Sequence, residues 1–260
     1  LRSSTIVVPY EWVEEEPLAV GVTSSTGIET VHEVAAAVET PEPSARGFLG
    51  YTVLGTIPTS VPVALGLLWL PSLRRADPRW LAAFMALTAG LLTFLGVEAL
   101  AEAFDLQAAI PEQLGGAGLV LLGVALSALG MTYLSSRLTS GTGSTGLALA
   151  LLVAIGIGVH NLGEGLAIGT SFAIGELQLG SFLVIGFMVH NLTEGLGIAA
   201  PAASDRPAPA RVAALALVAG APAILGTWIG GYSSSDVLAV LFFAIAAGAA
   251  LQVVVEVGRW

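Results

Sequence analysis

From Gly47 onward long apolar runs follow one another with short polar breaks, a pattern the first 45 residues do not share. A helix crossing a bilayer needs about 20 apolar residues. Seven runs reach that length: 47–70, 80–104, 116–138, 145–170, 178–200, 211–231 and 236–258. Pro58 and Pro62 in the first run and Pro222 in the sixth predict kinks, which membrane helices accept when neighbours re-satisfy the freed carbonyls. Gly156, Gly158, Gly163, Gly165 and Gly169 in the fourth run permit close helix contact, and packing alone accounts for them.

Residues 1–45 read differently. Thr5–Val13 and Pro17–Val22 are rich in β-branched and aromatic residues, and Ser24–Gly27 is a good turn before a further run, Ile28–Val38. This predicts a hairpin, with too little buried surface to be secure alone. The acidic run Glu14-Glu15-Glu16 reads as a solvated loop. The expected fold is an all-α polytopic membrane helix bundle with a short N-terminal β segment. Residues 1–46 form an extracytoplasmic acidic part and residues 47–260 the transmembrane domain.

Composition sharpens this. A mean hydropathy of +0.86 supports a membrane protein, with the lipid bilayer as its obligatory partner. Eight of the 19 acidic residues lie between Glu11 and Glu42, so each of the others needs its own reason. All nine basic residues are Arg, which together with a net charge of −10 suggests an acid-surfaced protein from a high-salt environment. Cysteine is absent, which excludes disulfides and thiolate ligation. No basic stripe exists to neutralise phosphates, so no nucleic acid is expected as a partner. Alternate loops hold Arg74, Arg75 and Arg79, then Arg137, then Arg206 and Arg211, and Arg259 follows the seventh run. The loops between them carry Glu112, Glu176 and Asp236 and no Arg. The positive-inside rule then places the N-terminus outside a plasma membrane that the chain crosses repeatedly. No signal peptide is visible near Leu1.

One segment occurs twice. His160-Asn161-Leu162-Gly163-Glu164-Gly165-Leu166-Ala167-Ile168 and His190-Asn191-Leu192-Thr193-Glu194-Gly195-Leu196-Gly197-Ile198 agree at seven of nine positions, 30 residues apart. His and Glu four apart on a helix share a face, flanked by the Asn. Both copies fall near mid-span in runs of opposite direction, which implies a local two-fold axis in the membrane plane with a site at the repeat interface. An ionisable group at that depth costs at least about 2.5–3.5 kcal/mol and usually faces an interior. Two His and two Glu suit tetrahedral Zn²⁺, and added Asn oxygens or water suit Fe²⁺ or Mn²⁺. One ion would take His160, Glu164, His190 and Glu194, and a second would take Asn161, Asn191 and the same two glutamates. The bland alternative is a buried polar network that fixes helix register.

The duplicated H-N-L-x-E-G resembles the fourth and fifth membrane helices of the ZIP (Zrt-, Irt-like) metal transporters of bacterial and archaeal type, which carry similar His-Asn-x-Pro-Glu-Gly segments in both. The resemblance covers residues 47–258. It implies movement of divalent metal, chiefly zinc or iron, toward the cytoplasm through a binuclear site. By position, His160, Glu164, His190 and Glu194 resemble the first metal's ligands, and Asn161 and Asn191 join the shared glutamates at the second. The chain departs from the pattern at Gly163 and Thr193, which stand where the family often has proline. It also has Ala221-Pro222 where many relatives have Glu-Pro, so one carboxylate of the second site is lost. The family has eight core helices against seven here, so an eighth is expected to be missing at the C-terminus or absent from a shortened version.

Other polar residues outline a path. Glu98, Glu102 and Asp105 recur at i, i+4 and i+7, an acidic stripe rising from mid-depth to the outer mouth that would attract cations. Asp105 also fits a simple interfacial role. Gln252 and Glu256 near the inner end of the seventh run fit either an exit or interfacial solvation. The sequence therefore points to a transporter of divalent metal rather than an enzyme, with the metal ion as cargo, no organic cofactor, and a homodimer allowed. The rival is an intramembrane zinc hydrolase, for which no H-E-x-x-H is present. A non-transporting metal sensor is the third reading.

Overall fold

A computed structural model describes residues 18–24, 26–27, 29–34, 41–108, 116–139, 146–173, 175, 177–233 and 235–259. The strand expected over Thr5–Val13, the run Glu14-Glu15-Glu16, and the loop residues Glu112 and Glu176 lie outside the described residues. The chain divides into two units, Leu1–Thr40 and Pro41–Trp260.

In the first unit β1 (Leu18–Thr23) and β2 (Glu29–Val34) form an antiparallel ladder, with Leu18 opposite Val34 and Thr23 opposite Glu29. Gly27 turns the chain at φ +80°, a region that favours glycine, and its N–H donates to Ser24 O at 2.9 Å. The expected hairpin is present.

The second unit is an all-α bundle with seven helical stretches long and apolar enough to cross a membrane. The first comprises α1 (Ala45–Gly55), a π-helical turn (Thr56–Ser60), α2 (Val61–Leu67) and α3 (Leu70–Leu73). Then come α4 (Pro78–Ala108), α5 (Gly116–Thr139), α6 (Gly146–Ala173) and α7 (Leu177–Ala202). The sixth is split into α8 (Pro209–Gly220) and α9 (Pro222–Tyr232), and α10 (Asp236–Arg259) is the last. Faces of α5 and α7 expose Leu121, Leu122, Leu126, Leu129, Phe182, Ile185 and Val189. A continuous apolar exterior of this kind is solvated by lipid chains, and the protein is a multi-pass membrane protein.

The interruptions have local causes. Pro62 has no N–H for Pro58 O four residues earlier, and the chain responds with the π turn, where Thr59 Oγ1 donates to Gly55 O. Pro222 divides α8 from α9 at Ala221 in the same way. Both kinks fall beside the central pair of helices. α6 is the hub, the most buried of the seven stretches where α5 is the least, and it packs on α7, α8, α9 and α10. α2 packs on α7, while α4 and α5 pack on α10.

The two ends of the unit differ in charge. Arg74, Arg75, Arg79, Arg137, Arg206, Arg211 and Arg259 share one end, and Arg46 in the first turn of α1 is the one described arginine at the other. At the arginine-rich end, Arg74 Nη2 donates to Pro207 O at 3.1 Å and Asp205 Oδ2 accepts from Leu147 N at 2.7 Å. At the opposite end Phe48, Tyr51, Trp228 and Tyr232 form an aromatic cluster, with Trp228 Nε1 donating to Phe48 O at 3.2 Å. Rings of this type are enriched at membrane interfaces.

Candidate metal centre

The antiparallel pair α6 and α7 carries both motif copies at mid-length. His160 lies 14 residues beyond Gly146 and His190 lies 13 beyond Leu177, or about 20 Å of helix rise in each case. The glycine closing each copy explains how other helices reach the site. A Cβ on Gly165 would strike Ala223 O of α9, and one on Gly195 would strike Val63 O of α2. Backbone therefore meets backbone, and the two kinked stretches press directly on the motifs.

The side chains interlock across the pair. His190 Nε2 is 2.5 Å from Glu164 Oε1, and His160 Nε2 is 3.3 Å from the same oxygen. Asn191 Nδ2 donates to Glu164 Oε2 and to Pro58 O, both at 3.0 Å. Asn161 Nδ2 donates to Glu194 Oε2 at 3.2 Å and to Ala219 O at 3.0 Å. Pro58 O is the carbonyl that Pro62 leaves free, and Ala219 O lies just before the Pro222 break. Each amide faces two acceptors, so only its NH2 end fits there, and its oxygen is directed elsewhere.

That orientation leaves buried acceptors without donors. Asn161, Asn191 and Glu194 are fully buried, and among the described residues Asn161 Oδ1, Asn191 Oδ1, Glu194 Oε1 and His160 Nδ1 have no hydrogen-bond partner. A buried unsatisfied polar atom costs about 1–3 kcal/mol. Buried oxygens left unpartnered on three motif residues are a reason for a cation. One ligand atom each from His160, His190 and Glu194 lie within 4.8 Å of one another, a separation that one ion can bridge. With Glu164 beside them, the set offers two nitrogens and two carboxylates, a donor combination suited to Zn²⁺, Fe²⁺ or Mn²⁺.

A cavity of about 620 Å³ reaches His160 and Glu164 from the end away from the arginines. Ser233, Ser235, Leu106 and Leu179 line its outer part, and Glu98 and Glu102 line its wall. Of the acidic stripe, Asp105 is exposed and is not part of that lining. Gln252 and Glu256 are remote from the cavity: Gln252 Nε2 and Arg259 Nη1 both donate to Glu256 Oε1, each at 3.2 Å.

Two cavity residues escape sequence reasoning. Phe187 stands edge-on to the His190 ring, with centroids 5.5 Å apart. It precedes His190 by three residues, so helical spacing was a usable signal. Phe243 of α10 packs against the space over Gly163, and nothing in the sequence pairs those two positions. Ala221 is partly buried at the α8–α9 break and contributes no ligand atom.

Compared with known proteins, the chain matches no protein-family model and no curated protein sequence.

Proposed function

We propose that this protein moves divalent metal ions, zinc foremost with iron or manganese as alternatives, across the plasma membrane toward the cytoplasm, as a relative of the ZIP transporters. The supporting observation is the meeting of His160, His190 and Glu194 at mid-membrane, with Glu164 bonded to both imidazoles. Two carboxylates balance the charge of one dication, and the imidazoles supply nitrogen ligands without adding charge. The cavity gives the ion a way in past Glu98 and Glu102, whose charge raises the local cation concentration. By the positive-inside rule the arginine-rich end is cytoplasmic, which makes the cavity outward-facing and the N-terminal hairpin extracytoplasmic. Release would follow rocking of one helix group against the other around the site. A single ion is favoured, because Ala221 brings no third carboxylate for a second.

The test is uptake of radioactive zinc or iron by proteoliposomes containing the full chain, set against Glu164→Ala and Glu194→Ala. Wild type should load metal above empty liposomes, and both variants should fall to background. Absence of uptake by wild type, or normal uptake by both variants, rejects the reading.

A further inference from the structure

The two imidazoles of the centre are held unequally. The His160 side chain is 7% exposed and that of His190 25%, and the difference follows from what stands on the preceding turn of each helix. A helical side chain leans over the residues three and four before it. For His160 these are Ile157, which is fully buried, and Gly156, where an added Cβ would strike Val253 of α10. For His190 they are Phe187 and Gly186, and an added Cβ on Gly186 would meet nothing within 4 Å. The core encloses the first ring, while the second has open space on its Gly186 side.

Two contacts orient the His190 ring. Glu164 Oε1 lies 2.5 Å from its Nε2, and Phe187 stands edge-on to it, with centroids 5.5 Å apart and planes at 61°. An ion shared by His190 and Glu164 sits between nitrogen and oxygen, about 2.0–2.2 Å from each, so that hydrogen bond opens when metal binds. Phe187 is then the contact left to keep the ring from turning toward Gly186. We propose that Phe187 positions His190 as a nitrogen ligand and thereby sets which dications the centre prefers. The inference rests on the metal reading of the centre. With the ring held, an ion meets two nitrogens and two carboxylates, a set that favours zinc. With the ring turned away, it meets one nitrogen, two carboxylates and water, closer to what manganese accepts. Phe187 offers no ligand atom and acts only through His190. It is partly exposed and lines the cavity, so truncating it leaves the buried core of the bundle intact.

The experiment uses the full chain in detergent, titrated with Co²⁺ and followed by visible absorption, with Zn²⁺ and Mn²⁺ affinities measured by equilibrium dialysis. Wild type should give the intense bands of cobalt held by few ligands, and should prefer zinc. Phe187→Ala should weaken those bands and bind zinc about tenfold less tightly, with manganese affinity unchanged within about twofold. Phe187→Tyr keeps the ring and should match wild type. Ile185→Ala, at an exposed position on the same helix, should match it too. A wild-type spectrum and zinc preference in Phe187→Ala overturn the proposal and leave the metal reading standing. An equal loss for zinc and manganese does the same, because it would show general damage to the centre. So does a loss in Phe187→Tyr or Ile185→Ala as large as in Phe187→Ala. Failure of wild type to bind cobalt or zinc at all rejects the metal reading and this inference together.

Discussion

Asn161 of α6 donates to Glu194 of α7 across 3.2 Å, and the second motif copy repeats the gesture in reverse, Asn191 to Glu164 at 3.0 Å. Each amide spends its other hydrogen on a carbonyl at a proline break, Ala219 O or Pro58 O. Four helical stretches are thus tied through two side chains, and the protein's own hydrogen bonds hold the carboxylates in place.

Replacing the donor by an acceptor tests this brace. Asn161→Asp keeps the shape but sets a carboxylate against Glu194, and an uncompensated buried charge of this kind costs about 3–5 kcal/mol. A divalent ion would offset much of that. The variant should melt well below wild type without metal and gain more than wild type on saturation with zinc, read by thermal unfolding in detergent. An equal gain in both proteins would show that the amide does not hold the carboxylate.

The glycine after each motif glutamate should be intolerant of a methyl group. Gly195→Ala forces α7 and α2 apart, and overpacking costs about 1–3 kcal/mol. It would also draw Pro58 O away from Asn191, so zinc affinity should fall with stability. Gly90 has nothing within 4 Å of an added Cβ, and Gly90→Ala should be neutral or stabilising by up to about 1 kcal/mol. Zinc titration and thermal unfolding of the two variants separate the cases, and equal behaviour would refute the close-approach argument.

Much of this was legible from residues alone, for a physical reason. Bilayer thickness sets one length for every span, so the seven runs match Ala45–Leu73 through Val237–Arg259 within a few residues at each end. Pro58, Pro62 and Pro222 marked the breaks because a missing N–H acts locally. The duplicated motif gave the six side chains that meet, since helical spacing fixes their faces. What remained hidden depends on tertiary packing. The partners of the asparagines are backbone carbonyls, which carry no residue signature, and Phe243 meets Gly163 only because α10 packs on α6. Depth along a helix likewise could not tell that Glu98 and Glu102 line the cavity while Asp105 does not.

The cavity carboxylates should act on the rate of metal capture rather than on its equilibrium. Glu98→Gln and Glu102→Gln each remove one charge from the wall without touching His160 or Glu164. Zinc uptake at low ionic strength should drop severalfold in the double variant, and the difference from wild type should shrink as salt screens the field. Asp105→Asn should change neither. Initial uptake rates across a salt series decide the matter, and a deficit that persists unchanged at high salt would argue for direct ligation instead of steering.

If the centre binds metal as proposed, Ala221 should limit it to one ion. It lies between Ala219, whose carbonyl takes Asn161, and Ala223, whose backbone abuts Gly165. A second dication beside Asn161 Oδ1, Asn191 Oδ1 and Glu194 Oε1 would find oxygens without donors, yet two glutamates cannot neutralise four positive charges. Uncompensated charge in a low-dielectric interior costs several kcal/mol per ion, more than neutral amide oxygens return. Ala221→Glu supplies a third carboxylate at the α8–α9 break, two residues from the carbonyl that takes Asn161. Metal bound per chain after equilibrium dialysis, measured by elemental analysis, should rise from about one in wild type toward two in the variant. Two ions already present in wild type would show that the unpartnered oxygens suffice without the carboxylate.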